Sequence, residues 1–456
     1  MGYGWGCVDR AGLVVRLRVR LPIRLAREWT VTGKIIRTNA MLLAIGVCLS
    51  TAAARAETDA SAVLATYSDI ALAKYEDALT TAKALDAAVD AFLEAPSEAS
   101  LATARAAWRE ARIPYQQTEA YRFGNPVVDD WEGRVNAWPL DEGLIDYVDS
   151  SYGTESDDNK LYTANVISNP AVEINGSTVD ASTITPAFLA ETLQEAGGIE
   201  ANVATGYHAI EFLLWGQDLN GTGPGAGDRP FTDFDAANCT GGNCDRRAEY
   251  LDAATDLLVS DLEEMVGNWQ PGGAARAHLM EADPREGLAA ILTGLGSLSY
   301  GELAGERMKL GLLLHDPEEE HDCFSDNTHV SHLYDAVGIR NVYHGSYGRI
   351  DGTVVEGPSI SDLVKEADPA LDAELSAKLD ATVAAMEAMA ARAEAGEAYD
   401  QMIGEGNAEG NAVVQAGIDA LVDQTRSIER VVATLKLDAI EFEGSDSLDN
   451  PNAVFQ

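Results

Sequence analysis

Helical periodicity over long stretches is the feature that most constrains how this chain can fold. Residues 60–93 repeat apolar side chains at three- and four-residue spacing, and the pattern stops only near Pro96. The same period predicts further helices, at about residues 98–122, 186–196, 199–216, 245–267, 285–312, 369–394 and 407–436. The alternation typical of strands is nearly absent. The sequence therefore predicts an all-α fold with under about a tenth of its residues in strands.

The predicted helices fall into two sets that are separated near residues 270–285. Each set is large enough to close a small antiparallel bundle. We therefore expect two four-helix-bundle-like halves, at residues 57–270 and 285–440, followed by an acidic tail at 441–456. Long irregular insertions rich in Gly, Asp, Asn and Pro interrupt the halves, at about residues 124–182, 217–243 and 313–368.

Residues 1–56 differ from the rest of the chain in charge. They hold nine Lys and Arg residues but only Asp9 and Glu28 as acids. Their apolar run MLLAIGVCLSTAAA is too short to span a membrane, and the small residues Ala54 and Ala56 form a signal-peptidase site. We predict a signal peptide cleaved after Ala56 and a protein of the periplasm or cell envelope. The stretch before Val31 exceeds what a signal peptide needs, which indicates an over-extended start.

The chain as a whole is strongly acidic. Its 74 Asp and Glu residues against 32 Lys and Arg give a formal net charge of −42. Such a charge repels polyanions. We therefore expect no nucleic-acid partner, and cations are the more natural ligands.

Three cysteines lie outside the leader. Cys239 and Cys244 enclose four residues in CTGGNC, and in an exported protein this spacing favours a local disulfide. A thiolate metal site would need more sulfur ligands or a nearby histidine. Cys323 is left over, and the sequence leaves open whether it is buried or reactive.

One otherwise apolar segment, GYHAIEFLLWGQD at residues 206–218, carries a histidine and a glutamate. On a helix His208 and Glu211 would lie on one face, as metal ligands do in helical bundles. The alternative is that His208 is a hydrogen-bonded core residue.

Two further acids lie among aromatic residues. Glu119 lies near the end of the helix predicted at residues 98–122, and Asp141 comes just after Trp138-Pro139 in a turn. If buried, they would need cationic partners. Arg109, Arg112 and a metal ion are the candidates.

Four stretches together carry a family resemblance: GYHAIEFLLWGQD with its Gly-x-His-x-x-Glu pattern, WPLDEGLIDYV, LNGTGPGAGDRPFTDF and CDRRAEYL. They resemble the imelysin family and, within it, the iron-regulated, IrpA-like exported branch. The resemblance covers essentially the whole chain after the leader. It implies an all-α fold of two four-helix-bundle-like halves, export from a bacterial cytoplasm, and a metal site near the interface between the halves.

Carried over by position, the resemblance implies a metal-ligand set of His208, Glu211, Glu119 and Asp141. One departure bears on this set. Where relatives often show Pro-Trp-Glu, this chain reads PYQ at residues 114–116. One carboxylate ligand would therefore be an amide here, which lowers the expected ligand count.

A second concentration of ligand-type residues is EEEHDCFSDNTHVSHLYD, at residues 318–335. It indicates a second metal-binding or substrate-facing site formed by His321, Asp326, His329 and His332. The alternative is a polar loop that keeps its shape through hydrogen bonds between side chains and backbone.

Two functions compete on these features. The first is binding of a metal ion or metal chelate in iron uptake with membrane-associated components, with iron favoured and zinc or manganese as alternatives. The second is a metallopeptidase, because the imelysin family is classed with peptidases through an insulin-cleaving membrane protease. The sequence lacks the His-Glu-x-x-His spacing of zinc peptidases, so binding is favoured. A haem protein is the weaker third candidate, because no Cys-x-x-Cys-His is present.

Overall fold

The computed structural model describes residues 58–455. The predicted leader, its signal peptide and the cleavage point after Ala56 lie outside the described residues and stay predictions. Helix makes up 63% and strand 4% of the structure. The predicted all-α fold, with under a tenth of its residues in strands, is therefore confirmed.

The α-helices between residues 58 and 455 range from about one turn to nearly ten turns in α1. In chain order they are α1 Ala60–Glu94, α2 Glu98–Gln116, α3 Pro126–Glu132, α4 Glu142–Ile145, α5 Pro186–Phe188, α6 Gly206–Trp215, α7 Cys244–Trp269, α8 Ala274–Met280, α9 Pro284–Ser297, α10 Leu310–Leu314, α11 Thr328–His344, α12 Ile360–Ala367, α13 Pro369–Glu394, α14 Tyr399–Ile403, α15 Ala408–Thr434 and α16 Asp446–Asp449. None of these helices is both long enough and apolar enough to cross a membrane.

Shorter elements join the helices. The 3-10 turns are Glu119–Tyr121, Ser150–Tyr152, Ala196–Gly198, Phe231–Asp233, Pro317–Glu319 and Ala453–Phe455, and the π-helical segments are Leu189–Leu193 and Leu298–Lys309. The strands form two antiparallel hairpins, β1 Ala171–Ile174 with β2 Ser177–Asp180, and β3 Ser346–Gly348 with β4 Val354–Glu356.

The first helices begin where the sequence supplies capping side chains. Asp59 accepts a hydrogen bond from the Ser61 amide at the start of α1. Ser97 and Ser100 form a reciprocal capping box at the start of α2. α1 packs along both α2 and α7, and small buried residues such as Ala78 allow this close approach.

The later helices form a second packed group. α13 packs against both α11 and α15, and α15 also packs on the π-helical segment Leu298–Lys309. Because α11 contacts α2 and α1 contacts α9, the described residues 58–455 form one compact unit. The proposed bundle boundaries at 57–270 and 285–440 stay a prediction.

The prediction of an irregular insertion at residues 313–368 is wrong over two stretches. The structure has α11 and α12 there. The buried face of α11 is largely polar, since His332 and Asp335 are fully buried beside Ile339. This polar face gives no apolar helical period, so the pattern does not indicate a helix. Its buried polar side chains need partners in the protein interior.

The helix expected at 285–312 is present as a continuous helical run from α9 to α10, with a π-helical centre. π-helical turns are frequently found at functional sites. This one carries Arg307, whose buried guanidinium donates to Glu119 at 2.6 Å and to Asp335 at 3.2 Å. The π-helical segment therefore brings a cation into the middle of the protein.

The acidic tail expected at 441–456 is docked on the protein over its described part. The Glu443 amide donates to Ser297 Oγ at 3.0 Å, and the Ser447 hydroxyl donates to the Gly305 carbonyl at 2.9 Å. The tail thus covers one side of the π-helical segment.

The predicted disulfide between Cys239 and Cys244 is confirmed. It closes a short loop immediately before α7, whose N-cap residue Asn243 provides no side-chain cap. Cys323 is a buried free cysteine. Burial and the charge of Glu211 raise the pKa of its thiol well above the ordinary value, which makes it an unreactive core residue.

Replacing both Cys239 and Cys244 by Ser is expected to lower the free energy of unfolding by about 2 kcal/mol, because the bridge restricts the unfolded chain over a loop of only a few residues. Urea denaturation of the oxidised protein and the double variant measures the difference. Coincident unfolding curves would show that the bridge adds no stability.

Candidate metal centre

α6 places His208 in the interior through a close backbone approach. Gly206 opens the helix with φ of +76°, and the Tyr207 amide donates to the Val135 carbonyl at 2.8 Å. A Cβ atom on Gly206 would come within 2.3 Å of that carbonyl oxygen. Only glycine fits here, which explains why the Gly-x-His-x-x-Glu pattern begins with one.

Gly206→Ala is expected to lower the free energy of unfolding by about 2 kcal/mol or more, because it adds both a left-handed residue and a backbone clash. Gly267→Ala in α7 is the matched control, since a Cβ there meets nothing within 4 Å and alanine favours helix. Thermal melts should show a large loss for the first variant and no loss for the second. Equal melting temperatures for both variants would contradict the close approach.

His208 and Glu211, three residues apart on α6, contact each other directly. His208 Nδ1 lies 3.1 Å from Glu211 Oε2. The other carboxylate oxygen accepts from the Ser325 amide at 3.0 Å and from the Ser325 hydroxyl at 2.7 Å. Both α6 side chains are fully buried, yet His208 Nε2 has no hydrogen-bond partner. An unpaired ring nitrogen in the interior is costly, and a metal ion would satisfy it.

A second histidine and an aspartate meet His208 from the C-terminal half of the chain. The rings of His208 and His321 are edge to face, with centroids 4.7 Å apart, and Asp322 follows His321 directly. Each of the three buried residues has a ligand atom within 4.8 Å of the others. Two imidazoles and one carboxylate are the donor set of many non-haem iron sites, and the same donor types also bind zinc and manganese.

Arg112 balances the charge of Asp322. Its Nη2 donates to Asp322 Oδ1 at 2.7 Å, while Asn327 and Ser331 donate to Oδ2 at 3.0 and 2.5 Å. Burial raises the pKa of Asp322, but the guanidinium outweighs burial and holds that pKa well below its ordinary value. Asp322 is therefore an ionised acceptor, and an ionised carboxylate can accept further contacts from a cation.

Both histidines are held in the neutral form that a metal requires. Burial, assisted by the charge of Arg112, lowers the pKa of His208 to about 3. Burial and Arg307 lower the pKa of His321 well below its ordinary value. Burial and the charge of Asp322 raise the pKa of Glu211. A bound cation would reverse that last effect and favour the charged carboxylate.

One aromatic side chain, Trp138, lies beside both imidazoles. The Trp138 ring centroid lies 5.4 Å from that of His208 and 6.4 Å from that of His321. Ser325, which bonds Glu211, also lines a cavity of about 460 Å³. The centre therefore has an aromatic neighbour and a cavity next to the residue that bonds Glu211.

The structure does not bring Glu119 or Asp141 into this cluster. Glu119 Oε2 accepts from Arg307 Nη2 at 2.6 Å, so a guanidinium neutralises it. Asp141 is half-buried and accepts from Asn159 Nδ2 at 2.5 Å. Joint metal ligation by these two acids and His208 stays a prediction that their observed contacts do not support.

Gln116, the amide at the position of a family carboxylate, lies in the same buried network. In the amide orientation that satisfies both groups, its nitrogen donates to Asp335 Oδ1 at 3.2 Å and its oxygen accepts from Arg112 Nη2 at 2.5 Å. A carboxylate at this position would face Asp335 with like charge. Gln116 therefore links the arginine to the acid of α11.

The four residues predicted for a second site do not form one cluster. His321 joins the centre around His208, whereas Asp326 lies in another group with Glu320 and Asp400. The two groups are consecutive in the chain, because Glu320 directly precedes His321.

The remaining two predicted residues lie on α11. His332 is fully buried with its ring centroid 4.9 Å from that of Tyr399, and neither ring nitrogen has a hydrogen-bond partner. Burial and Arg307 lower the pKa of His332 to about 3. His329 lines the 460 Å³ cavity, and its Nδ1 is also unpartnered. Metal binding by either histidine stays a prediction.

Three residues of these clusters were not among the predicted site residues: Glu320, Asp322 and Asp400. Asp322 could have been selected, because a His-Asp pair in an acidic segment is a usable signal for a metal site. Asp400 lies far along the chain in GEAYDQM, where nothing in the local pattern indicates a ligand.

The other stretches that carry the resemblance meet at one buried carboxylate, Asp146 of WPLDEGLIDYV. Arg247 of CDRRAEYL holds it through two contacts, at 2.6 and 2.9 Å. Arg229 of the Gly-rich loop donates to it at 2.6 Å and to Asp233 at 3.3 Å. These motifs form a buried ion cluster that supports the fold, while GYHAIEFLLWGQD supplies His208 and Glu211 of the candidate centre.

The fold and this centre define an all-α protein with a buried cluster of histidines and carboxylates. The family model described as Imelysin matches residues 71–428. Because this match covers most of the chain, the chain belongs to the imelysin family. The family resemblance inferred from the motifs is confirmed.

Two similar proteins carry names linked to iron. Iron-regulated protein A of Synechococcus elongatus is 34% identical over 76 residues, which is 16% of this chain. That match spans only 21% of the length of the cyanobacterial protein. A Parabacteroides distasonis protein with the provisional name iron-regulated protein A precursor has a crystal structure similar to this fold. Its TM-score is 0.59 at 20% identity, and the alignment covers 84% of this chain and 97% of that chain.

Proposed function

We propose that this protein is an exported metal-binding protein that binds iron, as an ion or a chelate. The centre consists of His208, His321 and Asp322, with Glu211 orienting His208. The metal would act as cargo in iron uptake or homeostasis.

The unpartnered Nε2 of His208 is the observation that carries this proposal. The opposite ring nitrogen contacts Glu211, and metal-bound histidines commonly have such a carboxylate behind them. His321 supplies a second imidazole and Asp322 an ionised carboxylate. The residues present therefore fit a transition-metal ion, with water or a chelator supplying further ligands.

The names of the relatives, rather than the donor set, favour iron over zinc or manganese. Affinity at sites of nitrogen and oxygen ligands rises from Mn²⁺ to Fe²⁺, and Zn²⁺ generally binds more tightly than Fe²⁺. We therefore expect Zn²⁺ to compete in the test tube. Iron loading in the cell would follow from metal supply.

Export is part of the proposal. The leader at residues 1–56 has the charge and the small residues of a signal peptide, and one structural relative is named a precursor. Outside the cytoplasm, the protein would receive its metal through the cavity beside Ser325. It would then pass the metal to membrane-associated uptake components.

Elemental analysis of the protein, purified from its native compartment without a histidine tag, tests this function. We expect about one iron per chain. After removal with a chelator, one equivalent of Fe²⁺ under anaerobic conditions or of Zn²⁺ should rebind. Protein that carries no transition metal and takes none up on titration would rule the proposal out.

A further inference from the structure

Three carboxylates form a separate cluster at the edge of the metal centre. Glu320 lies just before His321, Asp326 lies in the loop that leads into α11, and Asp400 lies in α14. One oxygen of each lies within 4.8 Å of the others. Ligand atoms at such separations can share one ion at a metal–oxygen distance of about 2.4 Å.

Four of the six carboxylate oxygens in this cluster lack a hydrogen bond within the described residues, and Glu320 also interacts with Thr328. Glu320 and Asp400 are 1% and 0% exposed. Glu320 Oε1, Asp326 Oδ1 and both carboxylate oxygens of Asp400 are buried without a hydrogen bond. Burying unpaired carboxylates side by side is costly. The buried acids of the nearby centre differ in this respect, because Asp322 is paired with Arg112 at 2.7 Å.

The electrostatics of the cluster, like its geometry, favour a bound cation. Burial and the charge of Asp326 raise the pKa of Asp400 to about 7, and burial and Asp218 raise that of Asp326 to about 6. Arg109 opposes the effect at Asp326 only in part. The three acids therefore need either protons or a cation to share the space.

A cation can reach this cluster from outside. Asp326 is half-buried and lines the 460 Å³ cavity together with Arg109, Ser325 and His329. A hydrated ion could therefore enter at Asp326 and keep some of its waters while it contacts the two buried acids.

We propose that Glu320, Asp326 and Asp400 form a second cation site, distinct from the histidine centre, which binds a hard divalent cation such as Ca²⁺. The donors are oxygens alone, and carboxylate oxygens select Ca²⁺, Mg²⁺ or Mn²⁺ over metals that prefer imidazole or thiolate. The histidine centre, with its two imidazoles, has the opposite preference. One chain thus holds two sites of different chemistry on consecutive residues, and this second site does not depend on the proposed iron function.

Calorimetric titration of Ca²⁺ into the chelator-treated full chain, at a salt concentration that screens the acidic surface, tests this site. Wild type should bind one Ca²⁺ per chain. Asp400→Asn should weaken Ca²⁺ binding at least 100-fold and leave Zn²⁺ binding within threefold of wild type. His208→Ala should show the reverse pattern.

Two further measurements guard against a folding defect and against nonspecific binding. Without cations, Asp400→Asn should melt no lower than wild type, because it removes a buried negative charge, and added Ca²⁺ should raise the melting temperature of wild type alone. Asp351→Asn, at an exposed acid outside the cluster that accepts from the Thr353 amide at 2.8 Å, should change Ca²⁺ affinity less than threefold. Absence of stoichiometric Ca²⁺ binding to wild type would overturn the proposal, and so would unchanged binding in Asp400→Asn. Loss of Zn²⁺ binding in wild type, with Ca²⁺ binding intact, would count only against the iron function.

Discussion

Replacing His208 by Ala is expected to lower the affinity for Fe²⁺ or Zn²⁺ about 100-fold, or about 2.7 kcal/mol. The substitution removes one of the two imidazoles of the cluster. Within residues 58–455, it also removes the only ring nitrogen of this cluster that is buried without a hydrogen-bond partner. Glu211→Gln should have a smaller effect, about 10-fold to 100-fold, because Glu211 orients the imidazole from behind.

The controls for this prediction separate a ligand from a core residue. His278→Ala is the matched variant, since His278 lies exposed on α8 and should leave affinity unchanged. His208→Ala opens a small cavity, so affinities are compared at a temperature where circular dichroism shows full helix content. A lower melting temperature with unchanged metal affinity would identify His208 as a core residue.

Replacing Arg112 by Met is expected to change stability and metal affinity in opposite directions. Without metal, the variant leaves Asp322 buried without its guanidinium partner, which costs about 3–5 kcal/mol. Metal affinity should rise, because Arg112 no longer repels the bound cation and Asp322 is free to face it. Saturating metal should then restore part of the lost stability, because a ligand at 100 times its Kd stabilises the folded protein by about 2.7 kcal/mol.

Urea denaturation with and without Zn²⁺ measures both effects of Arg112→Met. Lys83→Met is the control, because Lys83 and Glu263 form an exposed pair in which both side chains are more than half accessible, worth under about 1 kcal/mol. The contrary outcome is that Arg112→Met weakens metal binding as much as His208→Ala does. That result would show that Arg112 positions Asp322 for metal binding and does not merely neutralise its charge.

The sequence predicts the helices whose buried face is apolar. α13 begins and ends at the residues expected from the period, at Pro369–Glu394, because its buried stripe is mainly Leu, Val and Met side chains. α11 was not predicted, since the face it buries carries His332 and Asp335. Such a face is stable only through partners on other elements, including Arg307, and no local pattern reports those partners.

The candidate site shows the same division between local and distant information. Helical spacing was enough to pair His208 with Glu211, because residues three apart share a face. The association of His208 with His321 and Asp322 depends on how α6 meets a segment more than a hundred residues later. Glu119 was expected to need a cation, and the cation is Arg307, which reaches it from the π-helical segment. The choice between an arginine and a metal as partner is therefore made by tertiary packing.

X-ray absorption at the iron edge of the iron-loaded protein can decide whether His208 binds the metal, because it reports the atoms bound to the metal. We expect two imidazole ligands per iron in wild type and one in His208→Ala, with oxygen ligands making up the rest. A spectrum that requires only oxygen ligands, or one that is identical in His208→Ala, would contradict the assignment of iron to the centre of His208, His321 and Asp322.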